Sequence, residues 1–306
     1  MPGLIGYLTR NPNGLPHNLL EIMAASLHDS GHFDIDLYQE AGLGLGKVHL
    51  HPSRSQKFPF WNKAQTTCIT IFGEIFEQEK IRNNLVAAGV HGSSHTTEEL
   101  ILDLHEAEGE NFVLNLNGAF IIAIWNRKEN KFLLYNDRLG LHPVYYYFDS
   151  DLLLFGSGVR ALLSYPRLPR RIDFTALAEY LTFDHILGRR TLLQDVKLLP
   201  QASILTYTES EVKINQYWHP QYASDYPIRS DDEWAEELDS LLQQAIQRQQ
   251  ANDEPSGVLL SGGLDSRTIL AYLMLQPGAN PIFSFTWGIP GCDDARIARE
   301  VSHTLG

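Results

Sequence analysis

Ser261-Gly262-Gly263-Leu264-Asp265-Ser266 is the stretch on which the reading of this chain turns. It follows the short apolar run at residues 257–260, which reads as a buried strand, and it opens residues 264–275, whose pattern is helical. Adjacent glycines permit a tight turn with φ > 0 and let backbone N–H groups approach an anion closely. The helix that begins here adds the positive end of its dipole. Ser261 and Ser266 bring hydroxyls that can donate to phosphate oxygens. Asp265 would repel a bare phosphate, so it implies an intervening cation, Mg²⁺ by preference. The lysine of a Walker loop is missing, which argues against the usual γ-phosphate cradle. The competing reading is a glycine-rich loop whose Ser and Asp merely cap a helix. The strand–loop–helix setting favours phosphate binding over it.

Outward from the loop, residues 281–287 predict a second strand. Residues 293–305 predict a second helix, with Gly306 at its C-cap position. The order β-loop-α-β-α reads as the start of a parallel, doubly wound α/β domain. Two parallel strands are too little sheet to stand alone, so the chain is expected to be a fragment or to need a partner that completes it. Asp293 and Asp294 read as N-capping acids, with a substrate or metal role as the alternative. Upstream, Ser230 caps a helix predicted over residues 231–250. Its apolar stripe is Trp234, Leu238, Leu241, Leu242 and Ile246, and Asp231, Asp232 and Glu233 complement the dipole.

The preceding half is β-rich from about residue 66 to residue 157. Thr67-Cys68-Ile69-Thr70-Ile71 is a β-branched run. Residues 119–125 and 131–136 predict a hairpin around the polar turn at 126–130, and residues 144–148 and 152–155 predict another. Strands joined this tightly are antiparallel. Their apolar runs barely alternate, which predicts a sheet covered on both faces. Residues 98–106 and 174–181 read as flanking helices, presenting Leu100, Ile101 and Leu104 in one case and Leu177 and Leu181 in the other. A loop pattern near Trp218-His219-Pro220-Gln221-Tyr222 places a domain boundary there.

The chain has 306 residues, 24 Lys+Arg against 37 Asp+Glu, and a formal charge of −13. That balance argues against phosphate neutralisation on nucleic acid and against docking on an anionic membrane. No apolar run approaches the roughly 20 residues that span a bilayer. The N-terminus lacks the features of a signal peptide, so a cytoplasmic protein is expected. Cys68 and Cys292 are the sole cysteines and provide neither a disulfide framework nor a Cys-based zinc site.

Several further landmarks occur in order. They are Leu116-Asn117-Gly118-Ala119-Phe120, Trp125, the run from Asp137-Arg138-Leu139-Gly140 to Tyr146, Leu198-Leu199-Pro200, Tyr217-Trp218 and Gly288-Ile289-Pro290-Gly291. With them, the hexapeptide resembles the pyrophosphate-binding loop of the ATP pyrophosphatases (the PP-loop), and the chain is similar to glutamine-dependent asparagine synthetases. The resemblance implies an N-terminal-nucleophile glutaminase-like αββα sandwich over residues 1–217 and a linker at 218–230. An incomplete parallel α/β ATP-pyrophosphatase domain would follow over 231–306. It implies ATP and Mg²⁺ as cofactors, held by Leu259, Ser261, Gly262, Gly263, Asp265, Ser266 and Trp287, with Asp265 on the metal. It also implies activation of the aspartate side chain as an acyl-adenylate and displacement of AMP by ammonia or another amine. A homodimer, or a partner completing the synthetase domain, would fit.

The departures from that family concern glutamine. Its nucleophile, a Cys after the initiator Met, is Pro2 here, which has no nucleophilic side chain. In Phe72-Gly73-Glu74-Ile75-Phe76, which resembles the oxyanion-hole segment, the amide donor is replaced by Phe72. The position of the Asp that holds the glutamine amino group falls on Thr97. His32-Phe33-Asp34 stands where an Arg-containing clamp would be. No catalytic residue is therefore assigned, and the glutaminase is expected to be dead on a retained fold. Later synthetase motifs lie beyond residue 306, so this chain alone is expected not to complete catalysis. Relatives that join another activated carboxylate to an amine, of the β-lactam synthetase or lasso cyclase type, remain an alternative, as does a non-catalytic scaffold.

Other features read as structural. Cys68 is expected in the core, and Tyr145, Tyr146 and Tyr147 as strand packing. Asp137 with Arg138 is expected to be an ion pair or a turn lock. His49, His51, His91 and His95 are read as surface or capping histidines rather than a metal set.

Overall fold

The computed structural model describes residues 2–28, 31–50, 58–90, 96–209, 211–222, 227–250, 256–276, 281–289 and 291–305. It divides into two compact units, Met1–Gln221 and Tyr222–Gly306.

The first unit contains twelve strands among the described residues. They are β1 (Gly3–Thr9), β2 (Phe33–Glu40), β3 (Leu43–Leu50), β4 (Phe60–Trp61), β5 (Thr67–Ile75), β6 (Gly118–Asn126), β7 (Lys131–Asn136), β8 (Tyr145–Phe148), β9 (Leu152–Gly156), β10 (Lys197–Leu198), β11 (Ser203–Tyr207) and β12 (Val212–Gln216). Its helices are α1 (Leu19–Ala25), α2 (Gln78–Ala87), α3 (Thr97–Glu108), α4 (Val159–Leu163) and α5 (Phe174–Phe183). One sheet runs β10-β8-β9-β1-β3-β2 and the other β12-β11-β7-β6-β5-β4. Their pairings are antiparallel.

Both expected hairpins are present. Asn126 pairs with Lys131 at the turn of one, and Phe148 with Leu153 at the turn of the other. The sequence reading left residues 3–50 and 203–216 unassigned, although they carry β1, β2, β3, β11 and β12. Glycines at 6, 44 and 46 dilute the apolar signal of β1 and β3.

Alternation along each strand sorts the side chains into layers. On β6, Phe120, Ile122 and Ile124 join α2 and α3 in one core cluster. Ile121, Ala123 and Trp125 face the other way, into the space between the sheets, where they meet Leu4, Leu8, Leu43, Leu45 and Phe155. On the outer face of the first sheet, Ile5, Val48 and Leu154 pack under α1 and α4. The order is thus helix, sheet, sheet, helix, and it explains why the strand sequences do not alternate.

The expected helix at 98–106 is α3, and Leu100, Ile101 and Leu104 are buried. At α5 the expectation fails. Only Ala176 is buried and Leu181 is 75% exposed, so the predicted apolar face lies outside the sandwich core. His49 is not a surface histidine. It is buried, with Nε2 2.9 Å from Asp36 Oδ2. His51, His91 and His95 lie outside the described residues. Asp137 is a turn lock rather than an ion-pair partner. Buried at 1% exposure, its carboxylate accepts from the amides of Phe120, Leu139 and Leu141. Arg138 turns away and donates to the Leu114 carbonyl.

The second unit carries α6 (Asp231–Gln249), β13 (Ser256–Leu259), α7 (Leu264–Met274), β14 (Ile282–Phe285) and α8 (Asp293–Leu305). β13 and β14 pair in parallel, from Ser256 opposite Ile282 to Leu259 opposite Phe285. Ser230 and Glu233 form a reciprocal capping box at the start of α6. The strand expected to be buried is buried on one side only. Val258 and Leu260 enter a small core with Ile246, Leu270, Leu273 and Ala298, whereas Leu259 is 64% exposed. The α6 stripe behaves alike, because Ile246 is buried while Trp234, Leu238 and Leu241 are exposed. Residues of α6, α7 and α8 cover one face of this two-stranded sheet, and the other has no layer against it among the described residues. Gly306 lies outside them. No helix among the described residues is long and apolar enough to cross a membrane.

A polar clamp ties the two sheets. Glu40 on β2 accepts from Trp125 Nε1 at 2.6 Å, from Arg127 at 2.6 Å and from Tyr38 at 2.9 Å. Burial, the largest single influence, raises the Glu40 pKa, but the bonds from Arg127, Tyr38 and Trp125 together outweigh it and hold the carboxyl below its ordinary value. A depressed pKa contributes stability above the unfolded pKa and loses it as pH falls through the folded one. Glu40→Gln should therefore lower the unfolding free energy by about 1–3 kcal/mol at neutral pH. Denaturant melts of both proteins should show the gap closing as pH falls below the carboxylate range.

Candidate functional site

The sharpest motif occupies the turn that its sequence predicts. It runs from the end of β13 into the first turn of α7, with Gly263 as N-cap. Two cross-links seat it at the carboxyl ends of the parallel strands. The amide of Leu260 donates to the Phe285 carbonyl at 2.9 Å, and the Thr286 hydroxyl donates to the Leu260 carbonyl at 2.7 Å. Open α/β sheets bind ligands beyond the carboxyl ends of their strands. Leu259 and Trp287, the residues expected to flank adenosine, stand at these two strand ends, and Trp287 is 75% exposed.

Within the loop the two serines hold each other. The Ser261 amide donates to Ser266 Oγ at 3.1 Å, the two hydroxyls are 3.1 Å apart, and the Gly263 amide donates to Ser261 Oγ at 3.2 Å. The glycines are not needed for positive φ, contrary to expectation. Gly263 has φ −67°, and Gly262 is not among the positive-φ residues. Gly262 is needed for space. A Cβ there would lie 2.9 Å from Asp294 Oδ1 and 3.0 Å from Ile297 Cδ1, so α8 approaches the loop as closely as it does because residue 262 has no side chain.

Asp294 lies inside α8 rather than at its N-cap. Its Oδ1 accepts the Gly262 amide at 2.9 Å, linking positions 32 apart in sequence, a contact that the capping reading does not foresee. Asp293 pairs with Arg296. The doublet of acids hinted at function, but only the parallel register could direct one of them to the loop.

Asp265 lies exposed in the first turn of α7. Its carboxylate forms no ion pair or hydrogen bond among the described residues. One carboxylate without a partner among the described residues, at the start of a helix, fits the way Mg²⁺ binds, through one or two carboxylates with phosphates completing its shell. No group of three or more His, Cys, Asp or Glu residues is placed to hold a metal ion by itself among the described residues.

In the first unit, the positions that the resemblance links to glutamine have other work. Phe72 on β5 packs against the core between the sheets, and its ring meets the His142 ring edge-on at 4.9 Å. The next residue, Gly73, has φ +96°, and a Cβ there would lie 2.1 Å from the Ala119 carbonyl oxygen. The segment thus combines a tight backbone at Gly73 with a packed aromatic ring at residue 72. Thr97 opens α3 and donates to Gln78 Oε1 at 3.2 Å. Pro2 precedes β1 and is half-buried. Asp34 lies on β2, opposite His49. Cys68 is fully buried, and burial pushes its thiol up to about 12, far from a nucleophilic thiolate at neutral pH.

A model described as the glutamine amidotransferase domain matches residues 1–218, and one described as asparagine synthase matches residues 237–306. The chain belongs to the asparagine synthetase family. Asparagine synthetase [glutamine-hydrolyzing] 3 of Bacillus subtilis is 32% identical over 210 residues, covering 68% of this chain and 34% of that one. Asparagine synthetase B of Escherichia coli is 24% identical over 266 residues, covering 81% of this chain and 42% of that one. The chain thus spans well under half the length of these asparagine synthetases. Among solved structures, a glutamine phosphoribosylpyrophosphate amidotransferase from B. subtilis superimposes with a TM-score of 0.48 at 12% identity, covering 71% of this chain and 50% of that one.

Asp294→Ala should release the Gly262 amide and leave α8 tied to the loop by apolar contact alone. The expected outcome is faster hydrogen exchange at residues 261–263 and a loss of about 1 kcal/mol in local stability. Exchange unchanged from the parent would contradict the role given to this contact.

Proposed function

We propose that this chain serves ATP-dependent amide formation of the asparagine synthetase type, with the glutamine half of the reaction lost. In this reading a carboxylate oxygen, that of the aspartate side chain first of all, attacks the α-phosphorus of ATP. The bond to the β-phosphate oxygen breaks and pyrophosphate leaves. The nitrogen of ammonia then attacks the acyl carbon, AMP departs, and a proton is released. The observation that carries the reading is the loop at residues 261–266, seated at the carboxyl ends of parallel strands with its serines interlocked. Ser261 and Ser266 would meet the pyrophosphate oxygens, and the backbone at Leu259 and Trp287 would border the adenosine. Asp265 would hold Mg²⁺, which supplies charge neutralisation on the leaving pyrophosphate.

The loss of glutamine chemistry rests on three positions. Pro2 offers no nucleophile, Phe72 turns a ring to His142 where a donor amide is needed, and Thr97 carries no charge for an amino group. We also keep the division into residues 1–217, 218–230 and 231–306. The same three positions favour a second reading, in which the nitrogen belongs to a larger amine and the carboxylate is another, as in β-lactam synthetases or lasso cyclases.

The decisive assay follows AMP and pyrophosphate from Mg-ATP and aspartate in the longest product of this reading frame, with ammonium and glutamine compared. Turnover with ammonium and none with glutamine is expected, along with no glutamate released from glutamine. Glutamate release would overturn the dead glutaminase. ATP binding without turnover from either nitrogen source would move the acceptor and amine to the second reading, and no ATP binding would leave a scaffold.

A further inference from the structure

The loop at residues 261–266 has fewer free donors than its sequence suggests. The amide of Ser261 is given to Ser266 Oγ, that of Gly262 to Asp294 Oδ1, and that of Gly263 to Ser261 Oγ. Two carboxylates, Asp265 and Asp294, stand at the loop. A phosphate chain arriving here meets occupied amides and negative charge, so a bound cation alone leaves it short of fixed donors.

Arg267 is the one cationic side chain in the loop and in residues 264–274 of α7. It lies four residues beyond Gly263, on the same face of the helix, and helical side chains lean toward the N-terminus. Its Nε donates to the Gly263 carbonyl at 3.1 Å, which folds the guanidinium back along the loop. Gly263 leaves that space open. A Cβ there would meet only Ser261 Oγ, at 3.3 Å. Among the described residues, neither terminal nitrogen of Arg267 has a hydrogen-bond or ion-pair partner. A cation in the first turns of a helix also works against the dipole, an arrangement that an anion at the N-terminus reverses. Asp265 does not relieve it, because residues two apart on a helix do not face each other.

We propose that Arg267 binds the pyrophosphate portion of the nucleotide, presenting its two terminal nitrogens as a fork to phosphate oxygens while Nε stays on Gly263. Arginine suits the position because its planar donors match phosphate geometry in pairs, which a lysine does not. This inference rests on the reading of the 261–266 loop as a phosphate site.

The test titrates the chain with inorganic pyrophosphate and with ATP, each with Mg²⁺, and with adenosine alone. It compares the parent with Arg267→Gln and Arg267→Lys, and thermal melts accompany each variant. Arg267→Gln should weaken pyrophosphate and ATP binding by about tenfold or more, the scale of a charge-assisted paired contact. Arg267→Lys should fall between, and adenosine should bind all three proteins equally. Pyrophosphate affinity within about twofold of the parent in Arg267→Gln would overturn the role of Arg267 and leave the loop reading standing. So would an equal loss toward adenosine, which has no phosphate to lose. A parent chain that binds neither pyrophosphate nor ATP would overturn the loop reading, and the assignment of Arg267 with it.

Discussion

Between the two six-stranded sheets, Leu4, Leu8 and Phe155 close on Ile121, Ala123 and Phe132. This inner apolar layer is the constraint to which the rest of the first unit conforms. Each sheet must also bury its outer face, one under α1 and α4 and the other under α2 and α3. Strands with two buried faces cannot alternate, hence runs such as residues 119–125. Close approach also limits volume. A Cβ on Gly6 would lie 2.5 Å from the Phe155 ring, so residue 6 makes room for that ring. The carboxylates of Asp137 and Glu40 are accommodated beside this layer because each accepts several hydrogen bonds.

The same constraint separates scaffold from chemistry. The end of the β5–β6 pair at Gly73 and Gly118 is drawn so tightly that a Cβ on either would lie within about 2.2 Å of a facing carbonyl oxygen. That backbone persists whether or not the neighbouring side chain can donate a hydrogen bond. Phe72 is accommodated because an aromatic ring gains area by packing on His142 and the inner layer. Packing here depends on backbone atoms at Gly73 and Gly118 and on the ring of residue 72, not on any donor that residue might carry.

In the second unit the balance is reversed. Its core is small, and Leu259, Phe283, Phe285 and Trp287 are more than half exposed. The polar loop is nevertheless well ordered by its own bonds. Ser261 and Ser266 lock the turn, and Asp294 pins it to α8. Local polar geometry organises this turn more than packing does.

Much was legible in the sequence because it is local. The hairpins at 118–136 and 145–156, the capping box at Ser230 and Glu233, and the strand–loop–helix around residue 263 follow from neighbouring residues, and periodicity reports them directly. β1 and β3 were not legible, because glycines interrupt their apolar pattern and their pairing spans residues 3 to 48. Nor was the exposed face of α5, since periodicity marks an apolar side without saying whether anything covers it. That Gly262 provides room rather than positive φ, that Asp294 meets the loop, and that Arg267 folds back to the Gly263 carbonyl were decided by tertiary structure alone. Composition and spacing determined which residues this protein has for its chemistry. The parallel register of β13 and β14 decided which of them meet, because contacts across 32 residues depend on how the strands pair, not on what lies next in the chain.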